Sequence, residues 1–432
     1  MNPVPEQSAP AEMPLAGDRS RGASMRRLLI VGIISAVGLG GWWCWKTGRA
    51  AFFRQACLTA KAAKDWDDME QQACSWSQVA PDSAAPFVYA AEAALAADAM
   101  DRAAGYLDQV PDHDPAAVAV LLERVDMLFA DLAEPLDAAA TCQRILSIDP
   151  ANGPAHQRLT FFYAVTLQRY QLAAQARQAI ELGCELPEAY VYLIGADWIT
   201  LSNIVRVNQP WCAKHPDEEL FCVAIARGEV AARGLEFSLA FESSSEDSGG
   251  NATGSAKQLQ AAFDRFPHNL ELLAFFLEEA ITIGDAERVI QLLAAVPSAG
   301  QQDNRFWRYK GWLHAARNQQ AEAHEAFLQA LARNPFDFAT RHYLANLARK
   351  QGDAKQAEQL ARLAERGRQL RRTVLQQPEV RSMPLSVMRQ IANYAADCGQ
   401  PLIADRLKVR IEQMQGMQPV AGPPLPPPAS VP

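Results

Sequence analysis

The feature that most constrains this chain is a spacing. Prolines of the kind that end helices recur at Pro81, Pro115, Pro150 and Pro187, separated by 34, 35 and 37 residues. A fixed period near ~34 residues marks one supersecondary unit copied many times. So short a unit cannot bury its own apolar face, so it must stack on its neighbours. Pro216 and Pro267 are 51 apart, one period plus an excess. That excess matches the stretch Glu242–Ser255, whose serine, glycine and acidic residues cannot build a core. Glycine and proline fall between segments, and runs of alternating β-branched residues are nearly absent. The predicted fold class is therefore all-α, with helices joined by turns and no sheet. Small residues such as Ala90, Ala91, Ala93 and Ala94 suit helices that approach closely.

The pattern is sharpest in Asp303–Pro335. Trp307, Gly311, Ala323, Phe327, Ala330 and Pro335 stand there at offsets of 4, 8, 20, 24, 27 and 32. This segment closely resembles a tetratricopeptide (TPR) unit, with His314 in the place where the family carries tyrosine. Arg341, Leu344, Ala345, Ala357, Ala361 and Ala364 continue the pattern, and Gly284-Asp285 marks the turn of the preceding unit. The resemblance implies a TPR-like α-solenoid of antiparallel helical hairpins. Small Gly311 and Ala323 would let paired helices approach. Trp307 and Phe327 would fill the groove between them, and Pro335 would stop the second helix.

The expected organisation follows from these marks. Residues 47–380 form the repeat array, with a disordered insert at 242–256. Residues 381–416 form closing helices broken at Cys398-Gly399-Gln400-Pro401, and 417–432 form a proline-rich tail. That tail is either disordered or polyproline II.

The N-terminal region reads differently. Leu28 to Trp45 carries no charge, with Arg26 and Arg27 before it and Lys46 and Arg49 after it. An uncharged run of ~18 residues can cross a bilayer as a helix. Trp42, Trp43 and Trp45 gather at one end, where indole rings favour the lipid–water boundary. We expect an uncleaved transmembrane anchor at 26–46 behind a short disordered cytoplasmic tail at 1–25. The competing reading is a signal peptide cut near Gly38-Leu39-Gly40, against which the tryptophans weigh. Arg19, Arg21, Arg26 and Arg27 precede the span, against Lys46, Arg49 and Arg54 after it. This bias points to a cytoplasmic N-terminus and an exported, periplasmic or otherwise extracytoplasmic, repeat domain.

A net charge of −8 speaks against nucleic acid as a partner, because phosphate binding needs cations that replace counterions. The densest basic stretch, Arg362 to Arg372, is interleaved with Glu365 and reads as a solvated helix face. Eight cysteines are present without a Cys-x-x-Cys pair, so no metal, haem or thioredoxin-like motif emerges. Cys57 and Cys74 lie symmetrically about the turn at Asp65–Trp66. They are a candidate disulfide, with two buried thiols as the alternative. Cys212 and Cys222, flanking His215-Pro216, are a second and weaker candidate. No histidine pair, phosphate loop or nucleophile elbow appears, so no catalytic residue, cofactor site or metal site is assigned.

The expected function is protein binding. TPR arrays curve, and the first helix of each unit lines the inner face. The resemblance implies a docking surface at Arg305, Arg308, Trp312, His342, Asn346 and Arg349, for a protein or peptide partner. That set is similar to, without reproducing, the carboxylate clamp of chaperone-binding TPR proteins; it suits an acidic or C-terminal carboxylate segment. Single-pass bacterial proteins of this plan serve in envelope assembly, cytochrome maturation and translocon support. The expected role is thus a membrane scaffold. A chaperone-like envelope factor is the alternative, and an enzyme hidden in the least repeat-like stretch, 188–240, is a third reading.

Overall fold

The computed structural model describes residues 45–232 and 252–417. Every regular element among them is a helix, and no strand occurs. The expected anchor lies outside the described residues except at its edge, as do 1–25, most of the polar insert and the proline-rich tail. Among the described residues no helix is long and apolar enough to cross a membrane.

The chain divides into two compact units, the first ending at Val120 and the second running from Leu121. The first holds helix α1 (45–63), α2 (Trp66–Val79), α3 (Ala85–Ala96), α4 (Met100–Asp108) and the start of α5 (Ala117–Ala130). Asp65 caps α2 by accepting from Asp68 N at 3.1 Å, which satisfies one otherwise unpaired N–H of the first turn. Phe53, Cys57, Met69, Ala73 and Trp76 meet Ala90 and Ala93 in one core. The alanines of α3 are buried on more than one side, so the helix is sandwiched as its small residues anticipate.

The second unit continues through α6 (Pro135–Ile148), α7 (Gly153–Val165), α8 (Arg169–Leu182), α9 (Glu188–Gly195) and α10 (Ile204–Lys214). There follow α11 (Glu219–Ala232), α12 (Ala252–Arg265), α13 (Leu270–Ile283) and α14 (Ala286–Ala294). The unit ends with α15 (Asn304–Ala316), α16 (Gln320–Arg333), α17 (Phe338–Lys350), α18 (Ala354–Leu375), α19 (Leu385–Asp397) and α20 (Pro401–Met417). Helix α12 starts at Ala252, so the last residues of the stretch expected to be disordered are helical.

The backbone carries the period more clearly than the side chains do. Left-handed residues sit at the hairpin turns Lys64, Asp98, Ala133 and Leu167, then again at Gly284, Asn318 and Gly352. Successive positions within each run are 34 or 35 apart. Each ends a helix by turning a carbonyl-capping N–H back on the last turn. Helix starts keep the same beat: Asn269, Asp303 and Asp337 all cap from their side chains. This is a TPR-like array of helical hairpins.

Glycine sets close helix approach, as Gly311 and Gly367 show. A Cβ on Gly311 would meet the Phe327 ring at 2.5 Å. One on Gly367, midway along α18, would collide with the Tyr394 hydroxyl and with Phe338. Trp307 does not fill the hairpin groove as expected. It is only half-buried, while Phe306 and Tyr309 are 1% and 2% exposed. Its indole instead lies between Lys310 and Arg333, each 4.6 Å from the ring.

Within the second unit the last helices return to earlier ones. Arg410 on α20 donates to Glu185 O at 2.9 Å and to its carboxylate at 3.2 Å. Arg177 on α8 donates to Gln400 Oε1 at 3.0 Å. The closing pair therefore has a neighbour on both sides.

Candidate partner-binding surface

The inner positions of α13, α15 and α17 meet in a buried charged network. Asp303 caps α15 by accepting from Arg305 N at 2.9 Å and also takes Arg305 Nη2 at 2.6 Å. Arg305 Nη1 reaches Glu271 at 2.6 Å. Arg169, from α8, donates to both Glu271 oxygens at 3.1 and 3.4 Å, and to Ala196 O at 3.2 Å. Arg308 donates to Asp337 at 2.6 Å and Glu278 at 2.9 Å, with Asp197 at 3.5 Å. Asn304 links the two aspartates, donating to Asp197 at 2.7 Å and Asp337 at 3.0 Å. Arg305, Arg308, Glu271 and Asp197 themselves line a cavity of about 100 Å³, with Trp198 and Phe275 on its walls.

The electrostatics follow from burial set against partners. Burial raises the Glu271 carboxyl, but Arg169, Arg305 and Arg227 overcome it and hold the group at about 2. Burial and then the Asp337 charge push Asp197 up to about 6, against Arg308 and the Asn304 hydrogen bond. Arg308 stays charged because Asp337, Glu278 and Asp197 outweigh its desolvation.

This divides the candidate docking residues. Arg305 and Arg308 are 5% and 6% exposed, and both are engaged by carboxylates of the chain itself. They are structural residues of the interior, which corrects the expected open surface. Trp312 is half-buried against the cluster of Leu273, Leu277 and Phe306. His342 and Arg349 are exposed, and Asn346 joins them. Asn346 Nδ2 lies 3.2 Å from His342 Nε2, while Asn346 Oδ1 accepts from Arg349. Reduced solvent around the His342 ring, then Arg368 and Arg349, lower its proton affinity. Of the six candidates, the structure brings only these three into one exposed strip, along one side of α17.

The residues that sequence reasoning missed are Glu271, Asp197 and Arg169. One signal was available: Glu271 and Arg305 are 34 apart, hence opposite charges at equivalent positions of consecutive units. Asp197 and Arg169 come from the irregular α8–α10 region and have no such mark.

Cys57 and Cys74 are both free thiols. Cys57 is buried with Sγ 3.8 Å from Met69 O, whereas Cys74 Sγ lies 3.5 Å from the Tyr106 hydroxyl. Their symmetry about the turn thus does not join them, because α2 presents Cys74 towards α4. Cys212 and Cys222 do come together, with sulfurs 3.3 Å apart.

No family profile matches the chain, and no curated protein sequence matches it. Among solved structures, the Cut9–Hcn1 hetero-tetramer of the APC/C aligns at 14% identity and TM-score 0.31, covering 85% of this chain and 74% of that one. Yeast Tom70 aligns at 13% and 0.26, covering 85% and 77%. Human IFIT1 with a capped RNA aligns at 11% and 0.28, again covering 85% and 77%. Superpositions this loose carry no argument, and the TPR-like reading rests on the chain's own hairpins, caps and period.

Proposed function

We propose that this chain is a membrane-tethered scaffold whose repeat array docks an acidic segment of a protein partner on α17. The observation that carries the reading is the exposed strip His342–Asn346–Arg349, whereas Arg308, one 34-residue period before His342, is engaged by Asp337. An arriving carboxylate would meet Arg349 directly and would favour protonation of His342, adding a second cation where it is needed. The tether is supported at the start of α1. Trp45 and Phe52 are 54% and 66% exposed there, Trp45 being the last residue of the apolar stretch, with Lys46 and Arg49 beside them. Aromatic and basic side chains in that mixture suit a lipid headgroup layer. The proposed topology places the N-terminus in the cytoplasm and the repeats outside it, in assembly of an envelope or membrane complex.

The test is capture from detergent-solubilised membranes with the full chain, comparing wild type with Arg349→Glu and His342→Glu. Loss of the same captured proteins from both variants, at unchanged helicity and melting temperature, is expected. Unchanged capture by both would place docking elsewhere. A reporter active only outside the cytoplasm, fused after Gln415, should be active; an inactive fusion of normal abundance reverses the topology.

A further inference from the structure

We propose that Cys212 and Cys222 are an oxidation site: a disulfide oxidant converts them to an intrachain bond that staples α10 to α11. The case starts from the hairpin. Helix α10 carries Pro210 inside it, which removes a backbone N–H from its hydrogen-bond ladder. Its end is closed by His215 N donating to Trp211 O at 2.8 Å and is packed by side chains. Trp211 is 3% exposed and Phe221 is fully buried, and their rings lie 5.6 Å apart. Trp211 also meets Phe129 and Phe162, at 6.0 and 6.4 Å. These contacts fix the residues adjoining both cysteines, so the thiols are positioned by a packed floor rather than by a free loop.

The sulfurs stand 3.3 Å apart across ten residues of sequence. A disulfide needs ~2.05 Å, so closure requires a movement of about 1.2 Å, within reach of side-chain rotation at half-buried positions. The other thiols have different neighbours: Cys57 faces Met69 O, Cys74 faces Tyr106 and Cys184 faces Ala179 O. The turn between α10 and α11 also braces another hairpin. Lys214 Nζ and His215 Nε2 each lie 2.9 Å from Glu134, and Lys214 donates to Leu132 O at 2.6 Å. The staple would therefore lock the connection between the α5–α6 turn and the irregular part of the second unit.

The chemistry balances as thiol–disulfide exchange. One protein thiolate attacks an external disulfide such as oxidised glutathione, forming a mixed disulfide and releasing one glutathione thiolate. The neighbouring protein sulfur then displaces the second glutathione. Two protein thiols lose two protons and two electrons, and one glutathione disulfide becomes two thiols. Burial first, then the hydrogen bond and charge of Cys212, push the Cys222 thiol up to about 11. It is protonated at neutral pH, which makes exchange slow there and faster in alkali.

The full chain, purified reduced, is equilibrated in glutathione buffers of rising oxidising strength, acid-quenched, alkylated and digested with trypsin. Cleavage after Arg206, Lys214 and Arg227 separates the two cysteines. Peptides 207–214 and 215–227 should emerge covalently joined, two hydrogens lighter than their sum, before any other cysteine is blocked. The oxidised protein should melt at a higher temperature than the reduced form. Cys212→Ser and Cys222→Ser should abolish both the joined peptide and the shift. Two alkylated peptides in the most oxidising buffer would overturn the proposal. So would separate glutathione adducts on both cysteines, or either one joined to a different cysteine.

Discussion

Replacing Glu271 by Gln tests whether the charged interior holds the second unit together. The substitution keeps shape and removes one negative charge from between two guanidinium groups. Arg169 then loses its carboxylate partner but keeps the Ala196 carbonyl at 3.2 Å. Arg305 keeps Asp303 at 2.6 Å. Breaking a buried ion pair by removing one partner typically costs ~3–5 kcal/mol, and these residual partners favour the lower end. The proton affinity gives a second route to the magnitude. Glu271 is held at about 2 against an ordinary 4.5, which at ~1.36 kcal/mol per unit is about 3 kcal/mol favouring the folded, ionised state. Because the folded value is depressed, that stability is present above pH 4.5 and drains away as pH falls towards 2. Denaturant unfolding of wild type and Glu271→Gln should therefore differ by about 3 kcal/mol at pH 7 and converge near pH 2. A difference under ~1 kcal/mol at pH 7, or one that does not shrink in acid, refutes the reasoning.

Three further outcomes follow from the same geometry. Asp197 is raised from 3.8 to about 6, so its contribution is largest in acid and falls as pH rises across that window; Asp197→Asn should remove a slope of up to ~3 kcal/mol from the stability–pH curve. Gly311→Ala drives a methyl into the Phe327 ring and should destabilise by ~1–3 kcal/mol. Gly284→Ala, at φ +76 with open space around it, should lose only ~1 kcal/mol through backbone strain; equal melting temperatures for the two would contradict this. Trp307→Ala should cost about 1–2 kcal/mol, below the ~3–5 of a fully buried aromatic, while Trp312→Ala should lower the melting temperature at least as much, since its ring packs on Leu273, Leu277 and Phe306.

The fold was legible where the information is local. Hairpin turns and helix caps are written in short-range residues such as Gly284-Asp285 and Asp337, and their repetition betrays the period. The break in the closing pair at Gly399 is marked in the same way. The inner surface was legible only in part. A side chain at an inner position reads identically whether it faces solvent or a carboxylate contributed 107 residues away, as Asn304 does towards Asp197. Arg305 and Arg308 therefore read as docking residues, although the chain's own acids occupy them. Trp307 misled for a related reason. The family pattern names the position, but Phe306 and Tyr309 are the neighbours that enter the core, and nothing in the spacing ranks the three. Cys57 and Cys74 show the limit of symmetry about a turn, which fixes height along two helices but not the direction in which each thiol points.

The return of α20 to α8 bears on how the second unit comes apart. A linear stack of repeats frays from its ends, since the terminal member has one interface where inner members have two. Here the terminal member has a second interface, through Arg410 to Glu185 and Gln400 to Arg177. Fraying from the C-terminal side must break that contact together with the one to α18, so amide hydrogens in α19 and α20 should exchange as slowly as those in the middle of the array. Cutting both ties, with Arg410→Ala and Gln400→Ala together, should release both helices to fast exchange and leave α15 and α16 protected, converting a joint transition into sequential ones.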